Sequence, residues 1–252
     1  RGPEGDYRQL GTSLLQIENE FYGTIRPKRV IHPGERPLHA LRQRGVEYVE
    51  VRLMDLDPFE VVGINAQTMR FLDVFLLHCL VSDSPPDTPQ EIAALARNQH
   101  RVAERGREPG LALERGASQV TLTDWGQELV RQLEPIARQL DAAHGGNGYC
   151  AAVADALQGL AHPQTLPSAR VLRAVTEEFN GSFVAFAQAQ SVRTKQAMLE
   201  APLPEDVRAH FAQLAQVSWD EQRRIEATDS VSFDAYLQAY LSPDRLTPAA
   251  KA

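Results

Sequence analysis

"VEYVEVRLMDLDPF", residues Val46 to Phe59, decides how this chain is read. It has the character of a strand, in which successive side chains point to opposite faces. Glu47, Val49, Val51 and Leu53 then share one side, and Tyr48, Glu50 and Arg52 share the other. Glu50 and Arg52 stand about 7 Å apart along such a strand. A polar strand face of this kind has two explanations: a solvated sheet surface carrying an ion pair, or the wall of a reaction site. On pattern alone the solvated surface is the commoner.

Residues from about 11 to 64 read as strands and loops. "SLLQIENEFY" alternates, which predicts a second strand with Leu15, Ile17 and Phe21 on one face and Glu18, Glu20 and Tyr22 on the other; Asn19 breaks the apolar set. "TIRPKRVIHPGERP" follows, and its prolines exclude it from the centre of a sheet, because proline cannot donate to the ladder. It contributes Arg26, Lys28 and Arg29. If the two predicted strands are neighbours, carboxylates and cations converge on one surface. Carboxylates are hard oxygen ligands for Mg²⁺, and the arginine fork grips phosphate oxygens. Phosphoryl transfer needs both.

From Asn65 the period becomes helical. "NAQTMRFLDVFLLHCLV" places Met69, Leu72, Phe75, Leu76, Cys79 and Leu80 in a stripe behind Asn65 as N-cap, which makes Cys79 a core thiol. Thr88, Pro89 and Glu91 open a second helix as cap, first residue and capping-box partner. A third is expected over "LTDWGQELVRQLEPIARQLDAAHGG", limited or kinked at Pro135 and stopped by Gly145 and Gly146. "HGGNGY" resembles an anion nest, but a glycine-rich helix stop explains it equally well. Further helices run from Tyr149 to about Leu160, over "SARVLRAVTEE", "SFVAFAQAQSVRTKQAML" and "SWDEQRRIEATDSVSFDAYLQAYL", the last with a capping box at Ser218 and Glu221. "LSPDRLTPAAKA" reads as a frayed tail. The fold class is α+β, divided into a strand section over 1–64 and a helical section over 65–252.

Composition narrows the function. The chain has 252 residues, 43% hydrophobic and 23% charged, with a diffuse net charge of -7 and no basic tail. That argues against nucleic acid as partner, because a duplex binder usually carries a basic patch. The longest apolar run, "FLDVFLLHCLV", is shorter than the roughly 18 residues of a membrane span. Two cysteines far apart match no metal spacing and fit a reducing, cytoplasmic setting. The beginning, "RGPEGDYRQL", has no initiator Met and reads as part of something longer.

"LLQIENEFYGTIRPKR", "GVEYVEVRLMDLDPF", "RFLDVFLLHCLV" and "RVAERGREPGL" together resemble the C-terminal portion of bacterial glutamate–cysteine ligase, of the proteobacterial type. The resemblance implies part of a glutamine-synthetase-like antiparallel sheet followed by a mainly helical section. It implies ATP and Mg²⁺ as cofactors. L-glutamate and L-cysteine would join into γ-glutamylcysteine through a γ-glutamyl phosphate, the first step of glutathione biosynthesis. Carried over residue by residue, it makes Glu50 a metal ligand and Arg52 a contact to the transferring phosphate. Tyr22 falls in the cysteine pocket, and Arg26 and Asn19 lie in matching motif text on the substrate side. The departure is the absence of the family's N-terminal half, with its other metal-binding carboxylates and most of the sheet. That half becomes the implied partner, and the chain alone is expected to be inactive. The alternative is a non-catalytic helical interaction or regulatory module that retains ligase-like strands.

Overall fold

A computed structural model describes residues 2–52 and 54–242. Leu53, assigned above to the apolar strand face, and residues 243–252, most of the expected tail, lie outside the described residues. The fold is α+β: mainly helical, with two small antiparallel sheets. It divides into two compact units, Arg1–Asp55 with Leu203–Ala252, and Leu56–Pro202. The helices after Leu203 therefore belong with the strand section, a grouping that chain order does not suggest.

The first unit contains β1 (Ile25–Lys28), α1 (Pro37–Arg44), β2 (Tyr48–Val51), α9 (Glu205–Thr228) and α10 (Phe233–Leu241). β2 forms where the alternation predicts it. Its partner is not "SLLQIENEFY", which is irregular apart from a short 3-10 helix at Glu18–Glu20. The partner is "IRPK", paired antiparallel so that Arg26 lies opposite Glu50 and Pro27 opposite Val49. The Arg52 amide donates to the Thr24 carbonyl at 2.8 Å, which makes Thr24 and Arg52 a hydrogen-bonded pair. Alternation along the ladder then leaves Pro27 in a non-hydrogen-bonded pair, where its missing N–H costs no bond to β2. α1 was not anticipated. It starts at Pro37, whose fixed φ suits the first helical position, and ends at Gly45 with φ 75°.

α9 corrects the expected capping box. Residues 205–217 contain neither Gly nor Pro, and Glu205 and Asp206 complement the helix dipole at its start, so the helix is already three turns old at Ser218. The break falls instead before Ser232, whose hydroxyl accepts from the Ala235 amide at 3.3 Å. Tyr7 ties the N-terminal segment to α10, donating its hydroxyl to Asp234 and meeting Phe233 edge-on with centroids 5.2 Å apart.

The second unit runs from α2 (Ala66–Val81) and α3 (Pro89–Arg105) through a hairpin, β3 (Ala112–Arg115) and β4 (Ser118–Thr121), to α4 (Leu122–Gln132), α5 (Glu134–His144), α6 (Gly148–Ala161), α7 (Pro167–Glu178) and α8 (Phe183–Glu200). Asn65 and Thr88 are the N-caps expected of them, accepting from the amides of Thr68 at 2.9 Å and Glu91 at 3.2 Å. Pro135 separates α4 from α5. Val74, Val130, Leu133, Ala137 and Val153 form the core, flanked by Phe71, Leu157 and Leu160. A smaller cluster of Ala174, Val175 and Phe186 packs with Phe59 and Phe179.

α2 turns a different face inward from the one its stripe suggested. Val74 is buried, whereas Met69, Leu80 and Cys79 are exposed. Cys79 is thus not a core thiol: α2 is apolar on both sides, so periodicity could not choose between them. The glycine stop holds, with Gly145 and Gly146 at φ 82° and 86°. The amides beyond it are filled by the protein's own carboxylate. Buried Asp141 accepts from Tyr149 N and Cys150 N, each at 2.9 Å.

Candidate active site

The site is built on the β1–β2 pair. With Arg26 opposite Glu50 and Lys28 opposite Tyr48, alternation puts Arg26, Lys28, Tyr48, Glu50 and Arg52 on one face. Ile25, Pro27, Val49 and Val51 take the other. That apolar face is itself open, Val49 being 44% exposed, because two strands are too few to bury both sides of a sheet.

Glu50 sits between two cations. Arg52 Nη2 donates to its Oε2 at 2.9 Å, and Lys28 Nζ lies 3.3 Å from the same oxygen. Arg52 foremost, and Lys28 after it, hold the Glu50 carboxyl below its ordinary range. Tyr22 lies beneath the guanidinium of Arg52, 5.1 Å from ring centroid to Cζ. Arg26 turns its fork on the backbone: Nη2 donates to the Glu18 carbonyl at 3.0 Å and Nη1 to that of Asn19 at 3.3 Å. The five residues singled out from sequence therefore form two linked groups, Tyr22–Arg52–Glu50 and Asn19–Arg26, joined where Arg26 faces Glu50 across the ladder.

A cavity of about 550 Å³ adjoins β1, within the range of small-molecule sites. Asn19, Arg26, Lys28 and Tyr48 line it together with apolar Phe21, Ile25 and Leu41. Tyr22, Glu50 and Arg52 do not. Glu18 was expected as a carboxylate of the polar face; its pairing with Arg36 was missed. The Glu18 carboxylate accepts from Arg36 Nε at 2.9 Å and also from Nη2. No local pattern signals a pair so far apart in sequence.

The fit to Mg²⁺ can be judged from the donors. Among the described residues no group of three or more His, Cys, Asp or Glu is placed to hold a metal ion. Glu50 is the one carboxylate on the β1–β2 face, with an oxygen already shared by two cations. A magnesium ion demands near-octahedral oxygen coordination. These residues alone do not build a magnesium site.

The Glutamate-cysteine ligase family model matches residues 2–102. The glutamate–cysteine ligase of Azotobacter vinelandii is 45% identical over 237 residues, covering 94% of this chain and 44% of that protein. The enzyme of Hahella chejuensis is 42% identical over 244 residues, covering 95% and 46%. Residues 2–102 of this chain match the glutamate–cysteine ligase family, and the similarity to ligases of that name runs over nearly all of the chain. The crystal structure of the family's member from Francisella tularensis, solved in complex with AMP, superimposes with a TM-score of 0.86 at 33% identity. That match covers 95% of this chain and 47% of the Francisella chain. The chain thus spans a little under half the length of the relatives it matches. Asn19, Tyr22, Arg26, Glu50 and Arg52 all fall inside the span of the family model. Among the described residues no helix is long and apolar enough to cross a membrane.

Proposed function

We propose that this chain supplies one wall of the reaction site of an ATP-dependent glutamate–cysteine ligase. The reaction joins L-glutamate and L-cysteine into γ-glutamylcysteine through a γ-glutamyl phosphate. The observation that carries the reading is the Tyr22–Arg52–Glu50 stack on a strand face within the family's matched span. The planar fork of an arginine suits the oxygens of a phosphoryl group in transfer. Glu50 fixes the orientation of that fork from the side. Tyr22 supports it from below and offers a hydroxyl to the cysteine substrate. Asn19 and Arg26 are assigned to the substrate side, on the wall of the adjoining cavity.

The same observations argue that the wall is one part of a larger site. A two-stranded sheet with both edges unpaired among the described residues, and a single carboxylate on its polar face, calls for further strands and further acids. The remaining length of the relatives is the natural source. Mg²⁺, with Glu50 as one ligand, belongs to that completed site, as does ATP. The bacterial relatives support a cytoplasmic setting.

The test is to produce the chain alone and together with a polypeptide equivalent to the rest of the relatives' length. ADP and γ-glutamylcysteine are then measured with ATP, glutamate and cysteine. Product from the pair and none from the chain alone is expected. A completed protein that makes no product, or one indifferent to Arg52→Ala, overturns the reading in favour of a non-catalytic module.

A further inference from the structure

Segment 9–24, which carries Asn19 and Tyr22, has no strand ladder to fix it. Side chains do that work. Gln16 Oε1 accepts from the amides of Leu10 and Gly11, and Glu20 Oε2 accepts from the Gln16 amide at 2.7 Å. The anchor is Glu18. Its side chain is 19% exposed and that of Arg36 11%, against 41% for Glu50 and 21% for Arg52. Arg36 is itself fixed, since its carbonyl accepts from the Ala40 amide at the start of α1. Its guanidinium stacks on the Tyr240 ring of α10, with Cζ 5.7 Å from the centroid.

We propose that Glu18, Arg36 and Tyr240 form a brace that positions the substrate-side residues Asn19, Tyr22 and Arg26. Glu18 holds Arg26 through its backbone carbonyl while its carboxylate is gripped by Arg36, so one residue links the polar face to α1 and α10. The planar fork on one side and the aromatic face on the other leave Arg36 a single orientation, which a lysine could not reproduce. Removing either partner of this part-buried ion pair strands the other charge, so Glu18 and Arg36 are lost together. Arg36 and Tyr240 are not among the residues lining the cavity beside β1, and Glu18 reaches its wall; the three act through the residues they hold. The inference rests on the ligase reading only for its effect on turnover.

Two measurements separate the brace from that reading. The first is amide hydrogen exchange on the 252-residue chain. Arg36→Lys and Tyr240→Leu are expected to speed exchange at residues 19–22 about tenfold while leaving α6 unchanged, since local opening is set by local contacts. Tyr240→Phe, which keeps the ring, should behave as wild type. Unchanged exchange at 19–22, or acceleration spread equally into α6, overturns the brace. Should Arg36→Lys fail to fold, Tyr240→Leu, which leaves the ion pair intact, carries the test. The second measurement is turnover in the completed enzyme. A misplacement of about 1 Å costs up to about a hundredfold, so Tyr240→Leu should lower kcat about ten- to a hundredfold and Tyr240→Phe should restore it. Faster exchange with unaltered kcat and KM overturns the positioning role. Absence of product from the wild-type completed protein sinks the ligase reading instead, and leaves the brace to stand on exchange alone.

Discussion

The guanidinium of Arg52 rests over the ring of Tyr22 at 5.1 Å while its Nη2 donates to Glu50 at 2.9 Å. A cation held from below by a π face and from the side by a carboxylate has little freedom left. Such preorganisation is what a group aimed at a transferring phosphoryl needs.

The two supports can be separated at Tyr22. In the completed enzyme Tyr22→Phe keeps the ring under Arg52 and removes only the hydroxyl. A neutral hydrogen bond is worth about 0.5–1.5 kcal/mol, so the KM for cysteine should rise about two- to tenfold while glutamate-dependent ATP turnover is spared. Tyr22→Leu should damage both. Steady-state kinetics with cysteine and ATP varied in turn checks this, and an unchanged cysteine KM in Tyr22→Phe removes the hydroxyl from the cysteine pocket.

Glu50→Gln and Arg52→Lys should each cripple turnover by different routes. The amide keeps the shape of Glu50 but frees Lys28 and Arg52 from their shared partner. Lysine keeps the charge of Arg52 but loses the fork. Residues acting on one group are non-additive, so the double variant should be scarcely worse than the poorer single one. Near wild-type rates in both singles would reduce the pair to an ion pair on a wet sheet.

Acid sensitivity follows from two carboxylates. Glu114 is held down to about 2 by Arg97, which donates through Nε and Nη2, with Arg101 adding to it. Glu35 is held down to about 2 by Arg44 and the His32 amide. A carboxyl depressed in the folded state stabilises it above the ordinary carboxylate pKa, and loses that contribution as pH falls toward the folded value. Thermal melts of Glu114→Gln and wild type should therefore differ near neutrality and converge between about pH 4.5 and 2. A difference that persists unchanged at pH 3 would contradict this origin.

Two stability predictions concern the second unit. Gly63 has φ 75°, and a Cβ there would meet Leu56 Cδ2 at 2.9 Å. Gly63→Ala should cost about 1–2 kcal/mol from the backbone conformation alone. Leu133 is 1% exposed in the core between α4 and α5, and Leu133→Ala should cost about 2–5 kcal/mol. Denaturant unfolding followed on residues 56–202 measures both, and a Leu133→Ala loss under 1 kcal/mol would mean the cluster is looser than its burial implies.

Much of this architecture was legible because its causes are local. Caps at Asn65 and Thr88, the break at Pro135 and the glycine stop need only neighbours in sequence to act. The polar face of β2 was legible for the same reason. What the sequence hid depends on distant partners. "SLLQIENEFY" alternates like a strand, but the Gln16 amide is met by the Glu20 side chain and the Gln16 side chain turns back to the amides of Leu10 and Gly11, with no ladder formed. α2 is apolar all round, so its buried side is chosen by α5 and α6. The β3–β4 hairpin had a usable signal, a two-residue turn led by Gly116 at φ 59°, which the helical reading on either side obscured.

The first unit is assembled from both ends of the described chain, whereas the second is one uninterrupted stretch. On a ribosome adding about 5–20 residues per second, residues 56–202 take roughly seven to thirty seconds to emerge after the strands have been made. The second unit can fold as it appears. β1 and β2 must wait through that interval with Tyr240 still unsynthesised, so Arg36 has its carboxylate but not its aromatic lid. Synthesis order thus makes the first unit the later of the two to set, although its strands are made before any of the second.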